Sequence, residues 1–515
     1  MFARPFALAS AVLAAVLLGP ASAVPARPPT LVIDGDPNSL DTILNTPFGW
    51  SLGPLTQGYL FLVDDRGRLV PDRALRVPTQ ANGLISRDGR TIVYEIRTGR
   101  WSDGAPFDAR DVVFTVAALR DPRTAVPDTS AVAPIVSVAA PRPDRLVVHL
   151  RRPWAPFVAS FLTLGANDPF AILPRHLVAA LPSLNHSVLD TQPVGLGPFR
   201  LTRWVRGQRL EFERNPYAWR HARSDRVVVQ IVPAAPTRLV ELLAGDLDAV
   251  PLTGLQIDAA RARGLRLVAT TTNLIDYLEC NLRRPALRAA RVRRALAQAI
   301  DRARLARTIY RDALVPGDGV QLDRTFDGRR PLPRYDPLAA ARVLSPLHLH
   351  LDLAIAGDWR RSADAAIEIA DDLRRAGVAT TIRSSTEATF WGARDAGGVL
   401  ENGRFDLALT SWSPTLDPDR SYLFGCAAVP PLGGNAMGWC DPAFDRAEAA
   451  GAAAYDPAVR ARWYRTAGDI LADQVPIIPL GLERSVYAVA PRLFDFRPNP
   501  LGRDFWNAWE WAVAP

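Results

Sequence analysis

Residues 347–355 alternate apolar and polar side chains, 362–376 repeat apolar ones at helical spacing, and 378–382 alternate again. Strand, helix and strand with short links form a βαβ unit, and its two strands run parallel. The chain therefore holds an α/β sheet with at least one helix on its face. In that helix Ile367, Ala370 and Leu373 are expected inward, and Gly377 supplies the C-terminal stop. Other strand-like runs lie at 30–33, 91–96, 145–150, 210–213, 226–232 and 405–410. Asp108 reads as an N-cap with Asp111 three residues on. A helix is expected over 236–244, stopped by Gly245, and another from Ala289 onward. In the latter, Val292, Leu296, Ala299, Ile300 and Ala303 share one face, with arginines opposite. Boundaries are expected at 193–199, rich in Pro and Gly, and at 271–273. No internal repeat or low-complexity linker separates the segments, so the domains should pack closely and exchange chain.

With 515 residues, 48% hydrophobic and 22% charged, the chain is globular, and about 150 residues per domain gives roughly three. The net charge is +8, yet all 61 basic residues are Arg and the 53 acids are spread along the chain. That reads as codon bias, not as a basic stripe for nucleic acid. The first 23 residues have a signal-peptide layout: Arg4, an apolar run from Phe6 to Leu18, then Ala21-Ser22-Ala23 as the cleavage site. The mature chain should begin near Val24, and no Cys precedes Cys280 to carry a lipid. No later apolar run is long enough to span a membrane. In an exported protein Cys426 and Cys440 are expected to form a disulfide. Cys280 is left as a buried small hydrophobe.

Several patterns carry two readings. Gly49-Trp50-Ser51-Leu52-Gly53 matches the nucleophile-elbow pattern of a serine hydrolase, without a strand before it. His348 and His350 flank Leu349 and would share a strand face, either as metal ligands or as a polar edge. Trp391 and Trp412 are either rigid walls of a ligand site or core. Asp417-Pro418-Asp419 could grip a cation or form a capped turn. Arg360 and Arg361 follow the 347–355 strand, at the carboxyl edge where open α/β sheets bind ligands. There they could clamp a carboxylate, or they are a solvated helix start.

The run from Trp101 through Asp108 to Val112 resembles the signature of extracellular solute-binding protein family 5, the peptide- and nickel-binding components of ABC importers. Gly197-Pro198-Phe199, Trp204, Gly207 and Arg214-Asn215-Pro216-Tyr217 follow in the family's order. So do Asn281, Val292–Leu296, Ala299–Arg302, Phe405-Asp406 and Trp412. Leu423–Ala428, Asn435, Trp439-Cys440 and Phe444 resemble the disulfide loop of dipeptide-binding members. The resemblance implies a type II periplasmic-binding-protein fold, two lobes with a hinge plus an inserted domain. Domain I would comprise 24–52, 190–273 and 481–515, domain II 53–189, and domain III 274–480. Strands crossing near Asn273 and Gly481 would form the hinge.

The implied protein is a monomeric, non-enzymatic periplasmic component. It would bind a peptide or small polar solute and hand it to an inner-membrane ABC permease, with no cofactor, metal or nucleic acid. The expected pocket has Trp391 and Trp412 as walls, Asp417 as cation or hydroxyl partner, and Arg360 or Arg361 for a carboxylate. Phe48 and Trp50 from domain I, and Tyr277 near the hinge, complete it. The Asp that holds the peptide ammonium in relatives falls on Pro414 or Thr415, neither acidic. That keeps open a non-peptide ligand such as an opine, an oligosaccharide or a metal chelate. No His follows His350, which weakens a nickel reading.

Overall fold

The computed structural model describes residues 27–41, 51–126, 129–165, 169–311, 313–317, 319, 326–357, 360–502 and 504–514. The expected leader, and the expected pocket residues Phe48 and Trp50, lie outside them. Three sheets organise the chain. The first has Thr30–Ile33 parallel to Arg226–Ile231, then Arg209–Arg214 and Phe199–Val205 antiparallel. Its alternating residues Leu31, Leu210, Phe212, Val227 and Val229 pack against Val489, Phe496, Phe505 and Trp511. Both halves of the chain therefore close one core.

The second sheet has seven strands. It runs from Ala249–Leu252 through Ile477–Val489, Arg266–Cys280, Leu407–Trp412 and His350–Ala356 to Ala379–Ser385, with Leu314–Pro316 on Ile477–Val489. The βαβ unit is here: His350–Ala356 lies parallel to Ala379–Ser385 and to Leu407–Trp412. Its helix, Arg360–Arg375, ends before Gly377 at φ 86°. The inward stripe differs from the expected one: Ile367 is 59% exposed, and Ala365, Ala366, Ile369, Leu373 and Ala376 are buried. Three of these five inward positions are alanines, too small to mark the face by hydropathy alone.

A third sheet pairs Thr91–Glu95, Arg145–Leu150 and Ile135–Arg142. Helix Ala109–Arg120 packs on it and is capped as expected: the Asp108 side chain accepts from Arg110 N, and Asp111 accepts from Asp108 N. The Trp101 turn is a structural device. Trp101 is fully buried with its ring edge-on to Phe107 at 5.6 Å. Ser102 N donates to the Gly195 carbonyl, and Gly195 N donates back to Ser102 Oγ. A Cβ on Gly195 would stand 1.8 Å from the Thr56 carbonyl oxygen, so only glycine fits this junction.

Two further expectations are corrected. The helix after Ala289 is Ala290–Ala299; Asp301 caps a new one, Arg302–Thr308, and the break turns Ala303 to solvent. Within the first, Arg293 is buried, not opposite the core, because its guanidinium satisfies the carbonyls of Leu287, Arg288, Gln474 and Val475. His348 sits at φ 45° after the turn Ser345–Leu347, outside the strand that begins at His350. The two imidazoles therefore share no strand face, and His350 Nε2 lies 2.7 Å from Thr381 Oγ1. The Cys426–Cys440 disulfide is formed, and Cys280 is buried and free, its thiol pushed up to about 12 by burial. Among the described residues no helix is long and apolar enough to cross a membrane.

Candidate ligand-binding site

Arg266–Cys280 and Ile477–Val489 join the two parts of the molecule. One end of their ladder pairs Arg266 with Val489 beside the first sheet's core; the other pairs Glu279 with Ile477 inside the second. The ladder breaks in the middle. Thr271 pairs with Arg484 and Ile275 with Leu482, so Thr272, Asn273 and Leu274 bulge opposite Glu483 alone. Asn273 N donates to the Pro500 carbonyl, Ser413 Oγ donates to Asn273 Oδ1 at 3.1 Å, and Asn273 Nδ2 donates to the Pro414 carbonyl. The bulge thus ties the segment after Trp412 to the C-terminal segment. Beyond it, a Cβ on Gly481 would stand 2.3 Å from the Val315 carbonyl oxygen.

Parallel strands place their carboxyl ends together, so Ala356, Ser385 and Trp412 share one edge of the second sheet. Because Arg266–Cys280 runs antiparallel to Leu407–Trp412, Ile275 and Asp276 reach the same edge opposite Trp412 and Ser411. Trp412 is half-buried there, its ring edge-on to Phe424 at 6.3 Å. Trp391 ends the short helix Glu387–Phe390 that follows Ala379–Ser385, and is 42% exposed. At about 4.8 Å per strand, the strand ends before the two tryptophans lie roughly 10 Å apart across the edge. Arg360 opens helix Arg360–Arg375 at this edge.

Arg361 is the charged group the edge presents. Its side chain is 37% exposed and donates from Nη2 to Glu483 Oε1. Its guanidinium lies 5.1 Å from the centre of the Tyr310 ring. Asp276 completes the group, hydrogen-bonded to the Tyr310 hydroxyl and to the Glu483 carboxyl. Burial raises the Asp276 carboxyl, with Arg361 pulling the other way. Burial, with the neighbouring Asp276 charge, pushes Glu483 up to about 8. Two carboxyls facing one guanidinium each raise the other's affinity for a proton.

Two expected pocket residues do not line this edge. Asp417 is buried and bonded by Arg460 Nη2 at 2.5 Å, with the Tyr464 hydroxyl at 3.5 Å. Its charge is already matched, so it is not available to a ligand cation. Tyr277 is 2% exposed in the core under the disulfide loop, with Leu423, Phe424, Met437, Trp439 and Phe444. It alternates away from Asp276, whose side chain takes the other face. The residues that sequence reasoning passed over are Asp276, Glu483 and Tyr310. Asp276 had a visible signal: an acid between Ile275 and Tyr277 in a largely apolar run. Ser51 lies in a helical turn beside Gly53–Thr56. Among the described residues no group of three or more His, Cys, Asp or Glu could hold a metal ion.

Two α/β parts joined by crossing strands, with an edge of aromatic and charged groups beside the crossing, define a two-lobed binding-protein fold. The model for bacterial extracellular solute-binding proteins, family 5, matches residues 76–428, and the chain belongs to that family. It is 25% identical to Di/tripeptide-binding protein 2 of Pseudomonas aeruginosa (strain UCBPP-PA14), over 94% of this chain and 95% of the other. The oligopeptide-binding protein AppA from Bacillus subtilis, solved with a nonapeptide, superposes at a TM-score of 0.75 with 18% identity, covering 95% and 99% of the two chains. NikZ from Campylobacter jejuni, solved with Ni(L-His), gives 0.77 and 21%, covering 94% and 99%.

Proposed function

We propose that this chain is the solute-capturing component of an ABC importer, exported to the periplasm by residues 1–23. It takes a peptide or similar small polar solute between its lobes and delivers it to an inner-membrane permease. Family membership supports the role. The observation that carries the site is the shared edge where Trp412 and Arg361 meet the bulged crossing strands, with Trp391 farther along it. The domain partition proposed is 24–52, 190–273 and 481–515 for the first lobe, 53–189 for the insert and 274–480 for the second lobe, with the hinge at Asn273 and Gly481. Trp391 and Trp412 act as walls, and Arg361, with Arg360 beside it, meets a ligand carboxylate. Phe48 and Trp50 act from the first lobe. No covalent step is involved: ligand touching both lobes stabilises the closed form over the open one.

A thermal-shift screen of residues 24–515 tests this reading. Its pools are dipeptides, longer peptides, opines, oligosaccharides and nickel–histidine. A ligand at 100 times its dissociation constant adds about 2.7 kcal/mol of stability. A shift with peptides supports the reading. A shift confined to opines, oligosaccharides or nickel–histidine replaces the ligand class, and no shift with any pool rejects it.

A further inference from the structure

The charge count at the interlobe edge carries a further inference. Arg361 has one guanidinium, and two carboxyls compete for it. Glu483 holds it now, and its side chain is 14% exposed against 37% for Arg361, so solvent and solute reach the pair from the Arg361 side. Asp276 stands behind Glu483, bonded to it and to Tyr310. Among the described side chains, the elements packed on this group add no other charge to it. Strand Arg266–Cys280 contributes Asp276, strand Ile477–Val489 contributes Glu483, and helix Arg360–Arg375 contributes Arg361. The segment after helix Arg302–Thr308 contributes Tyr310, and strand Leu314–Pro316, which pairs Leu314 with Glu483, has no titratable side chain.

We infer that Glu483 is an internal stand-in for the ligand's carboxylate, occupying Arg361 in the empty protein and released from it, with uptake of a proton, when a ligand carboxylate arrives. In the empty protein Arg361 is positive and the Asp276–Glu483 pair, sharing one proton, is negative, so the group is neutral. An arriving carboxylate adds one negative charge inside a largely buried cluster. The group regains neutrality when the pair binds a second proton from solvent; Glu483 then needs no cation and yields Arg361. The raised carboxyl of Glu483, about 8, is consistent with a pair that takes protons readily. Binding is thus selective for ligands with a free carboxylate and weakens as pH rises. Glu483 acts as a specificity-determining residue through Arg361, and the inference rests on the edge being the ligand site.

Alanyl-alanine and alanyl-alaninamide, titrated calorimetrically into the full mature chain at pH 5.5 and 7.0, supply the test. Over this range the peptide ammonium stays charged. One proton taken up per ligand weakens alanyl-alanine binding about tenfold per pH unit, and buffers of different ionisation enthalpy count that proton directly. Glu483→Gln should bind alanyl-alanine at least tenfold more tightly at pH 7.0; Asp276 can still take the proton in it, so pH dependence and proton uptake should vanish only when Asp276→Asn is added. Asp276→Asn, which leaves Glu483 to titrate alone, should move the pH dependence to lower pH. The amide should show neither effect. Equal affinities of wild type and Glu483→Gln, weaker binding by the variant, or proton release overturns the inference and leaves the functional reading intact. Failure of both probes on wild type and both variants overturns the inference together with the peptide reading.

Discussion

The second lobe buries carboxylates in two ways. Beside the disulfide loop two of them have an arginine each. Arg420 and Glu448, both essentially unexposed, bond through Nε at 3.0 Å and Nη2 at 2.9 Å, and Arg420 N donates to Glu448 Oε2 at 2.8 Å. Asp417 has Arg460. At the carboxyl edge of the second sheet Asp276 and Glu483 share a single Arg361. The first arrangement is closed: a ligand that took either cation would strand a buried anion, at a cost of several kcal/mol. The second is one cation short, so it changes state with pH or with an incoming charge. Burial raises carboxyls of both kinds, Glu448 included; the count of cations decides whether an incoming charge finds one to share.

The sharpest way to break the comparison is Arg420→Leu, which leaves Glu448 buried and alone. Urea unfolding at pH 7 should show a loss of about 3–5 kcal/mol. A loss under 1 kcal/mol would mean the matched pairs are not scaffold. Next, Cys426→Ser with Cys440→Ser asks whether the cross-link, not the ion pairs, holds that region. A loop with a sequence separation of 14 should cost about 3 kcal/mol when opened. A smaller loss would shift the weight onto the ion pairs.

Glu483→Gln probes the unmatched side. The native carboxyl titrates at about 8, above its ordinary 4.5. Between those values the folded state keeps a proton that the unfolded state has released, so stability falls as pH rises and levels off above about pH 8. The fall is at most about 1.4 kcal/mol per pH unit for one proton. Glu279, also raised to about 8, and Glu448, raised to about 7, add to it through burial. In the variant the slope of unfolding free energy against pH should become shallower between pH 5 and 8. An unchanged slope would place Glu483 among ordinary carboxylates. The smallest effect is expected at Asp371→Ala. Asp371 bonds Arg374 and Arg375 in solvent, and its loss should leave the melting temperature within error.

Much of the frame could be read from local pattern, because the interactions that set it are local. The βαβ unit, the Asp108 cap and the disulfide each involve residues within a few dozen positions. The errors came where partners are distant. Asp417 looks available beside Trp412 until Arg460 arrives from a helix 43 residues on. Arg293 looks solvated until the last carbonyls of helix Pro457–Gln474 reach it. Tyr277 and Asp276 are neighbours whose roles exchange because strand side chains alternate faces. The family pattern marks structural residues more than ligand residues. Asn281 Nδ2 donates to the carbonyls of Gly403 and Phe405, Asn215 Nδ2 to that of Gly197, and Asn435 Nδ2 to those of Gly425 and Trp439.

The core of the first sheet fixes an order of assembly. Thr30–Ile33 pairs with Arg226–Ile231, and Leu31 packs in the cluster that includes Val489, Leu493, Phe496 and Trp511. Asp248 receives Thr30 N at 2.7 Å and is itself held by Arg492. Contacts of such sequence separation form late and slowly. The strand made first must therefore wait for residues made several hundred positions later, and until they arrive its apolar face is open to any chaperone or stray strand that meets it.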